Sequence, residues 1–504
     1  MNGEKGQALP LAIMALAFGM LVITPFLSHA GTNMISSGTY AGAITGNSAC
    51  DAGVEHAIWN LTRGALAEQF SGPGDQVTYQ LDEPINGLTT SVTVTSNATV
   101  GVGAGEIADS VIDTLEYDTA DGFEPDIINI SGSTYAIAYR GPGSDGFIKT
   151  VTIAANGDIG NSAIDSLEYD TSDGFEPDII NISGSTFAIA YRGPGSDGFI
   201  KTVTIAANGD IGNSAIDSLE YDTSDGFEPS ITHVSGSVYA IAYRGPGSDG
   251  FIKTVTIAAD GDIGDSVVDT LEFDTSNGQE PRIVNVSGST FAIVYRGPGD
   301  DGFITTVDIA ANGDIGNSVT DTLEFDTSNG LEPDIINISN SSYAVVYRGP
   351  GSDGFIKTVT IAANGDIGNS TIDTLEFDTT GGWEPRVINT SPGVYGVVYR
   401  GPGSDGFLKT ISIQDNGDID TSAIDTLEFD AADGFEPVVI YISGDIFAIA
   451  YRGPGSDGFV KTVDISRTWG SATWEIVATA GERSVRAYVE TASVNASIIS
   501  WRIE

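Results

Sequence analysis

The chain has 504 residues, with 69 acidic and 21 basic side chains and a formal net charge of -48. A surface this acidic repels nucleic acid and anionic lipid headgroups, which excludes nucleic acid as a partner; it is compatible with bound cations, cationic partners or a saline environment. The single cysteine, Cys50, excludes a framework of intramolecular disulfides, so the fold must depend on packed secondary structure.

The first predicted element is a membrane-spanning helix. Residues 8 to 27 are almost wholly apolar, and only Glu4 and Lys5 carry charge before them. A helix of this length, at about 1.5 Å per residue, matches a hydrocarbon core of roughly 30 Å. A cleaved secretory signal with its site near residues 28 to 30 is the alternative, although the preceding segment is barely positive and the apolar run is long for a signal.

A second helical segment is predicted after this span. Val54, Ile58 and Leu61 fall at helical spacing within residues 31 to 70. Three glycines between residues 38 and 46 argue against an unbroken helix, because glycine is unfavourable in a helix interior by about 1 kcal/mol relative to alanine.

The N-terminal region resembles that of type IV minor pilins, through a glycine before a long apolar helix and the segment Asp51-Ala52-Gly53-Val54-Glu55-His56-Ala57. The resemblance implies that a prepilin peptidase cuts after Gly6 and leaves Gln7 as the new N-terminus. It also implies a stem anchored in the membrane or in a filament core, with other pilins and an inner-membrane assembly system as partners. Major pilins carry a glutamate at the fifth mature position, where this chain has Leu11. Some minor pilin-like proteins lack it too, so entry into a filament stays open.

Short β-rich segments flank a central block of repeats. They cover residues 76 to 81 and 89 to 95 before the block, and 474 to 481, 485 to 490 and 498 to 503 after it. Together they look like the small β-sheet of a pilin head, split by an inserted domain. Insertion at an exposed hairpin is tolerated when the ends of the inserted domain lie close together. A linker followed by an unrelated cap is the alternative.

The central block contains seven copies of a 52-residue unit, each with the words Tyr-Arg-Gly-Pro-Gly. In one copy, β-rich runs at residues 163 to 170, 178 to 183, 186 to 192 and 199 to 206 alternate with turns rich in Gly, Asn and Asp. Four short strands per copy are typical of a propeller blade, and a closed ring leaves no exposed strand edges. Residues 112 to 118 are expected to complete the seventh blade and close the ring.

The predicted fold is therefore mainly β: a seven-bladed β-propeller inserted in a pilin-like α+β module with a long N-terminal hydrophobic helix. The predicted boundaries are a leader at residues 1–6, a helical stem at 7–70, the first part of the head at 71–106, the propeller at 107–466 and the second part of the head at 467–504.

Each copy carries a glutamate followed by proline and, further on, an arginine. Both loops that hold them are expected on one face of the ring. The glutamates are Glu124, Glu176, Glu228, Glu280, Glu332, Glu384 and Glu436. The arginines are Arg140, Arg192, Arg244, Arg296, Arg348, Arg400 and Arg452. Two interpretations stand side by side: each pair is a structural salt bridge, or the ring holds metal ions or a cationic or hydroxyl-rich ligand.

Two further groups of residues are weaker candidates. Calcium is the metal that oxygen ligands at Asp260, Asp262 and Asp265 suggest, although their spacing does not match an EF-hand loop and an ordinary hairpin is the alternative. Trp383 and Arg386 depart from the consensus of the repeats, and we predict a carbohydrate-stacking contact there; drift between copies is the alternative.

The predicted function is that of a cell-surface protein, anchored in a membrane or associated with a pilus, whose extracellular propeller binds a ligand such as a glycan or a protein without catalysis. Near-identical blades favour repeated equivalent contacts, whereas an enzyme needs an acid, base or nucleophile placed once. A structural spacer of the cell envelope without a ligand and a propeller-type carbohydrate-active enzyme are the alternatives.

Overall fold

The computed structural model describes residues 37–63, 66, 76–81, 83–96, 104–467, 472–481, 483–492 and 495–503. The chain forms two compact units, one within residues 1–101 and 470–504 and the other within residues 102–469. The first unit begins with helix α1 (Ser37–Arg63), strand β1 (Gln76–Gln80) and strand β2 (Thr90–Ser96).

The second unit is built from strands β3 to β30, which form seven antiparallel sheets of four strands each. Strand β3 covers Asp113–Asp118. Blade 1 holds β4 to β7 (Phe123–Ser131, Thr134–Arg140, Gly146–Thr152, Asp165–Asp170) and blade 2 holds β8 to β11 (Phe175–Ser183, Thr186–Arg192, Gly198–Thr204, Asp217–Asp222). Blade 3 holds β12 to β15 (Phe227–Ser235, Val238–Arg244, Gly250–Thr256, Asp269–Asp274) and blade 4 holds β16 to β19 (Gln279–Ser287, Thr290–Arg296, Gly302–Asp308, Asp321–Asp326).

The remaining blades follow the same plan. Blade 5 holds β20 to β23 (Leu331–Asn337, Ser342–Arg348, Gly354–Thr360, Asp373–Asp378) and blade 6 holds β24 to β27 (Trp383–Ser391, Val394–Arg400, Gly406–Ser412, Asp425–Asp430). Blade 7 holds β28 to β30 (Phe435–Ser443, Ile446–Arg452, Gly458–Asp464) together with β3. The mainly β, propeller-like architecture with four strands per repeat is confirmed.

The ring closes through the strand that precedes the first blade. Strand β3 pairs antiparallel with β30, and Leu115 lies opposite Val460. A further bridge joins Ile107 to Ile465. Because β3 supplies the outer strand of blade 7, the two ends of the repeat block hold each other, as the sequence predicts.

Adjacent blades share an apolar core and a repeated polar contact. Between blades 1 and 2, buried side chains such as Ile148 and Phe187 belong to one cluster. At the outer edge, Asp170 of blade 1 accepts hydrogen bonds from Tyr191 and Lys201 of blade 2, both at 2.7 Å. Burial alone would raise the pKa of Asp170, but these hydrogen bonds outweigh it and hold the pKa below its ordinary value.

The first unit is completed by three strands that follow the ring: β31 (Ala472–Ala480), β32 (Arg483–Ala492) and β33 (Asn495–Ile503). The five strands form one antiparallel sheet in the order β1-β2-β31-β32-β33. Strands β2 and β31, which are neighbours in this sheet, are therefore separated in sequence by the entire ring. Helix α1 packs on the sheet, and its Val54 and Ala57 are fully buried beside Val92 and Ile476.

The helix of the first unit and the predicted membrane span were both expected from the N-terminal sequence. The expectation of a broken helix is wrong, because α1 is continuous from Ser37 to Arg63. Gly46 and Gly53 lie where an added Cβ would meet Arg483 and Thr90, both at 2.8 Å, so these glycines allow the helix to approach the sheet closely. The predicted span at residues 8 to 27 lies outside the described residues. Within the described part of the chain, no helix combines the length and the apolar character that crossing a membrane requires.

Candidate functional site

A ring of seven glutamates lines one level of the central channel, one at the start of each innermost strand. All have φ between 52° and 55°, in the left-handed region. In a residue other than glycine this conformation costs on the order of 1–3 kcal/mol, so the surrounding contacts must hold it. The following proline favours extended backbone with negative φ in the residue before it, so the left-handed conformation is held by the contacts of the glutamate side chain and not by the proline.

Hydrogen bonds link the glutamates into a closed circle. The backbone N–H of Glu176 donates to Oε2 of Glu124 in the preceding blade at 2.8 Å. The equivalent bonds in the other blades measure 2.6 to 2.8 Å. The circle closes across the chain ends, where Glu124 N–H donates to Glu436 Oε2 at 2.7 Å. Each carboxylate therefore fixes the backbone of the next blade.

Each glutamate also binds the arginine of its own blade. In blade 1, Nε and Nη2 of Arg140 donate to the two carboxylate oxygens of Glu124 at 3.2 and 3.3 Å. The guanidinium lies between two rings, with Phe123 of its own blade at 4.0 Å and Phe175 of the next at 4.9 Å. Six blades repeat this salt bridge, with Nε–Oε2 distances of 3.1 to 3.3 Å. The glutamates and arginines predicted as ligand-binding residues thus bind one another.

Blade 4 departs from this arrangement. Its arginine, Arg296, donates from Nε to Asp300 at 2.9 Å, while its nearest approach to Glu280 is a salt bridge of 3.8 Å. Gln279 and Leu331 stand where other blades have the aromatic residues that flank the guanidinium. Arg296 therefore lacks the flanking rings and turns to the aspartate that replaces a serine in its loop.

The glutamates crowd one another, and their pKa values show it. Burial and the charges of neighbouring glutamates raise the pKa of Glu228 and of Glu436 to about 7. The arginines oppose this shift without cancelling it.

The second predicted loop, Gly-Pro-Gly-Ser-Asp-Gly, lies at the same end of the ring, since Gly174 N–H donates to Ser144 O at 2.8 Å.

A second level of the channel is not symmetric. The residues two positions after each glutamate line the same cavity, which has a volume of about 510 Å³. In blade order they are Asp126, Asp178, Ser230, Arg282, Asp334, Arg386 and Val438. This level, which we call the channel layer, is the part of the ring where the blades present different chemistry to one space.

The aspartates of the channel layer are held by the neighbouring blade. Asp126 and Asp178 accept hydrogen bonds at 2.9 and 2.8 Å from the N–H groups of Ile179 and Ile231, each in the next blade. Burial and the charge of Asp126 raise the pKa of Asp178 to about 8.

The arginines of the channel layer are less fully engaged. Arg282 and Arg386 each donate one hydrogen bond, to the carbonyl of the preceding proline, at 3.2 and 3.1 Å. Neither has a carboxylate oxygen within 4.0 Å among residues 104–467, all of which the structure describes. Burial and the charge of Arg282 lower the pKa of Arg386 to about 10. Each guanidinium thus keeps donors that face the cavity.

The structure separates Trp383 from Arg386. Trp383 lies 5.0 Å from the guanidinium of Arg400, in the place that Phe123 takes in blade 1, whereas Arg386 lines the channel. The register of β24 shifts between these two residues, and the carbohydrate contact stays a prediction.

The calcium candidates lie in a hairpin. Ala258 N–H donates to Asp262 O at 2.8 Å and Gly261 N–H to Ala258 O at 2.9 Å. No group of three or more His, Cys, Asp or Glu side chains placed to hold a metal ion occurs in the described ranges, so Asp260, Asp262 and Asp265 are not brought together as ligands. The processing residues Gly6 and Gln7 lie outside the described residues.

Sequence reasoning missed most of the channel layer. Arg386 was singled out as a departure from the consensus, but Arg282, Asp126, Asp178 and Ser230 were not identified as channel residues. The signal was present in the sequence, since the second residue after each glutamate varies while the glutamate and its proline do not.

Comparison of the chain with known protein families and with curated proteins finds no match. Among solved structures, it is similar to a candidate 6-phosphogluconolactonase from Bacteroides uniformis, with 10% identity, a TM-score of 0.46 and coverage of 67% of this chain and 94% of that chain. For BBS1N in complex with ARL6DN the identity is 8%, the TM-score 0.44 and the coverage 72% and 98%. For a protein of unknown function from Dyadobacter fermentans these values are 8%, 0.42, 70% and 98%. At these levels the similarities carry no information about what the chain binds.

Proposed function

We propose that the protein is a cell-surface protein, anchored in a membrane or a pilus by its N-terminal segment, that displays the propeller-like ring for adhesion or ligand binding. The observation that carries this proposal is the insertion of the ring between β2 and β31, neighbouring strands of one sheet. A unit that keeps its own core while its chain carries a large inserted ring is suited to presenting that ring.

The pilin resemblance supports the same proposal. The segment of residues 51 to 57 that carries it falls in α1, at the contact between helix and sheet. Gly53 touches Thr90 and Ala478 of two adjacent strands, and Val54 and Ala57 are fully buried. The residues that carry the resemblance therefore lie in the buried contact between α1 and the sheet. Under this proposal the partners are other pilins and an inner-membrane assembly system.

Binding without catalysis is the activity that the ring supports best. The glutamates and arginines repeat in every blade, and in six blades they form close salt bridges with one another, which fits a structural role for their level of the channel. The channel layer offers donors and acceptors of several kinds in one cavity, which is typical of a ligand site. The function is argued from this site and not from the fold, since propellers serve many functions.

The location can be tested on native cells. Surface filaments would be sheared off, probed for this chain by immunogold labelling, and analysed by mass spectrometry for the N-terminal residue. We expect the chain in the surface fraction, starting at Gln7 when it is a processed pilin. Recovery in the membrane fraction with residues 1–6 intact would reject the pilin assignment and leave an anchored surface receptor. Recovery in the cytoplasm alone would reject the proposal.

The alternatives make different predictions. A spacer of the cell envelope without a ligand predicts that the channel-layer residues can be changed without loss of attachment to a surface. A propeller-type enzyme predicts chemical turnover that disappears when one blade is changed.

A further inference from the structure

We propose that the channel layer binds a carboxylate-bearing sugar, with Arg282 and Arg386 holding the carboxylate and Asp126, Asp178 and Ser230 reading the hydroxyl groups. This inference rests on the proposed ligand-binding role of the ring and names the ligand class. The motivating observation is that two arginines with unused donors line the same cavity as Asp126, Asp178 and Ser230.

The arginines define the anionic end of the ligand. Each uses one donor for a backbone carbonyl and has no carboxylate oxygen within 4.0 Å among the described ring residues, so most of its five N–H groups remain available. Asp334 lies in the blade between them, and its Oδ2 accepts from Val387 N–H at 3.0 Å. Blades 4 to 6 therefore place one aspartate beside two guanidinium groups, so this side of the channel layer is locally positive, while Asp126 and Asp178 lie in blades 1 and 2. A single carboxylate suits this locally positive side and matches the planar fork of arginine.

Blades 1 to 3 define the end of the site that contacts the hydroxyl groups of the ligand. Asp126 and Asp178 line this part of the cavity with carboxyl oxygens that accept hydrogen bonds, and Ser230 adds a hydroxyl that donates or accepts. The vicinal hydroxyl groups of a sugar can donate hydrogen bonds to these acceptors and accept one from the serine hydroxyl. An apolar ligand would leave these groups unpaired, and a second anionic group at this end would be repelled.

The volume of the cavity and the electrostatic field of the protein are compatible with such a ligand. A cavity of about 510 Å³ is within the range of small-molecule sites and holds a mono- or disaccharide. The net charge of -48 opposes an anion at long range. This field is screened beyond about 8 Å at physiological salt, whereas contacts inside the channel are screened much less.

The test measures binding of D-glucuronate to the purified full chain by titration calorimetry, with D-glucose and acetate as comparison ligands. The informative variants are Arg282→Asp and Arg386→Asp. Asp occupies the same position in blades 1, 2 and 5, so the variants are expected to fold, and circular dichroism with a thermal melt verifies it. Arg502→Asp makes the same charge change at an exposed site in the first unit and serves as the matched control.

We expect glucuronate to bind more tightly than glucose or acetate. Each channel variant should weaken binding by at least about tenfold, the scale of one lost charged contact, and the control should leave it unchanged. Absence of glucuronate binding at millimolar concentration, or equal binding by the folded channel variants, would overturn the proposal. Equal affinity for acetate would reject the sugar as the ligand class. The result does not depend on where the protein resides, so its failure is separate from failure of the surface location.

Discussion

The lysine missing from blade 4 provides a test of the contacts that join the blades. In six blades a lysine of the third strand lies 2.7 to 2.9 Å from an aspartate of the preceding blade. Blade 4 has Thr305 there, and Asp274 retains the hydroxyl of Tyr295 at 3.0 Å. We predict that Thr305→Lys stabilises the ring and that Lys201→Thr, which copies the blade 4 arrangement into blade 2, destabilises it.

The magnitudes follow from burial and from the contacts that remain. The side chains of Lys201 and Asp170 are 17% and 11% exposed, so the pair is largely shielded. Removing one partner of a buried pair costs about 3–5 kcal/mol. Asp170 keeps the hydroxyl of Tyr191 and the N–H of Ser172, so we expect about 2–3 kcal/mol for Lys201→Thr. Thr305→Lys gains a charged hydrogen bond of about 1.5–3 kcal/mol and loses about 1.5–2 kcal/mol of side-chain entropy. It also removes the bond from the Thr305 hydroxyl to Asp321 O, which the lysine replaces by donating to a backbone carbonyl, as Lys201 does to Tyr169 O, so the net gain is about 1 kcal/mol or less.

The assay is urea unfolding of the full chain, combined with hydrogen exchange of β10 and β18. The introduced lysine has room opposite Thr322, because Lys253 and Lys357 lie opposite threonines in blades 3 and 5. We expect slower exchange in β18 for Thr305→Lys and faster exchange in β10 for Lys201→Thr. An unchanged unfolding midpoint for Lys201→Thr, or a lower one for Thr305→Lys, would refute the reasoning.

Two further predictions concern buried carboxyl groups, whose charged form burial destabilises, and buried tyrosine hydroxyls. Because the pKa values of Glu228 and Asp178 are raised to about 7 and about 8, the folded chain binds these protons more tightly than the unfolded chain. Their stabilisation is complete below the unfolded pKa values and is lost as pH rises through the folded ones, so the free energy of unfolding should fall by several kcal/mol between about pH 5 and pH 8; urea midpoints that rise over this range would contradict it. The buried hydroxyls of Tyr117, Tyr169 and Tyr221 have no hydrogen-bond partner, and four other repeats have phenylalanine there, so the triple change to phenylalanine should raise Tm or leave it unchanged; a clear fall in Tm would show an unrecognised partner.

The propeller-like part of the fold could be predicted because its determinants are local and repeated. Glycine, asparagine and aspartate in the turns mark each hairpin, and the 52-residue period marks each blade. The strand ends predicted from the sequence were less accurate. The innermost strand of blade 2 begins at Phe175 and not at 178, since it includes the strained glutamate and its proline and is shifted in register before Asp178.

The errors arose where a residue's role depends on a distant partner. Gly46 looked like part of a break because the sequence does not show that the helix approaches Arg483 closely at this position. The sequence likewise did not show that Trp383 lies beside the guanidinium of Arg400, because the register shift after Trp383 is a property of the folded blade. Short-range patterns do not reveal which way a side chain points after such a shift.

The unequal divergence of the blades favours a function for the channel layer. A residue such as Glu124 contacts the next blade directly, so a change in one copy disturbs its neighbour. A channel-layer position is less constrained, and drift alone would leave small or neutral side chains there, as Ser230 and Val438 illustrate. Arginine is a different case, because a buried guanidinium loses hydration that its surroundings must replace, and the lowered pKa of Arg386 reflects that loss. Arg282 also repels Arg386, and the charges of Asp334 and Asp126 oppose these effects only in part. An anionic ligand in the channel would offset the remainder.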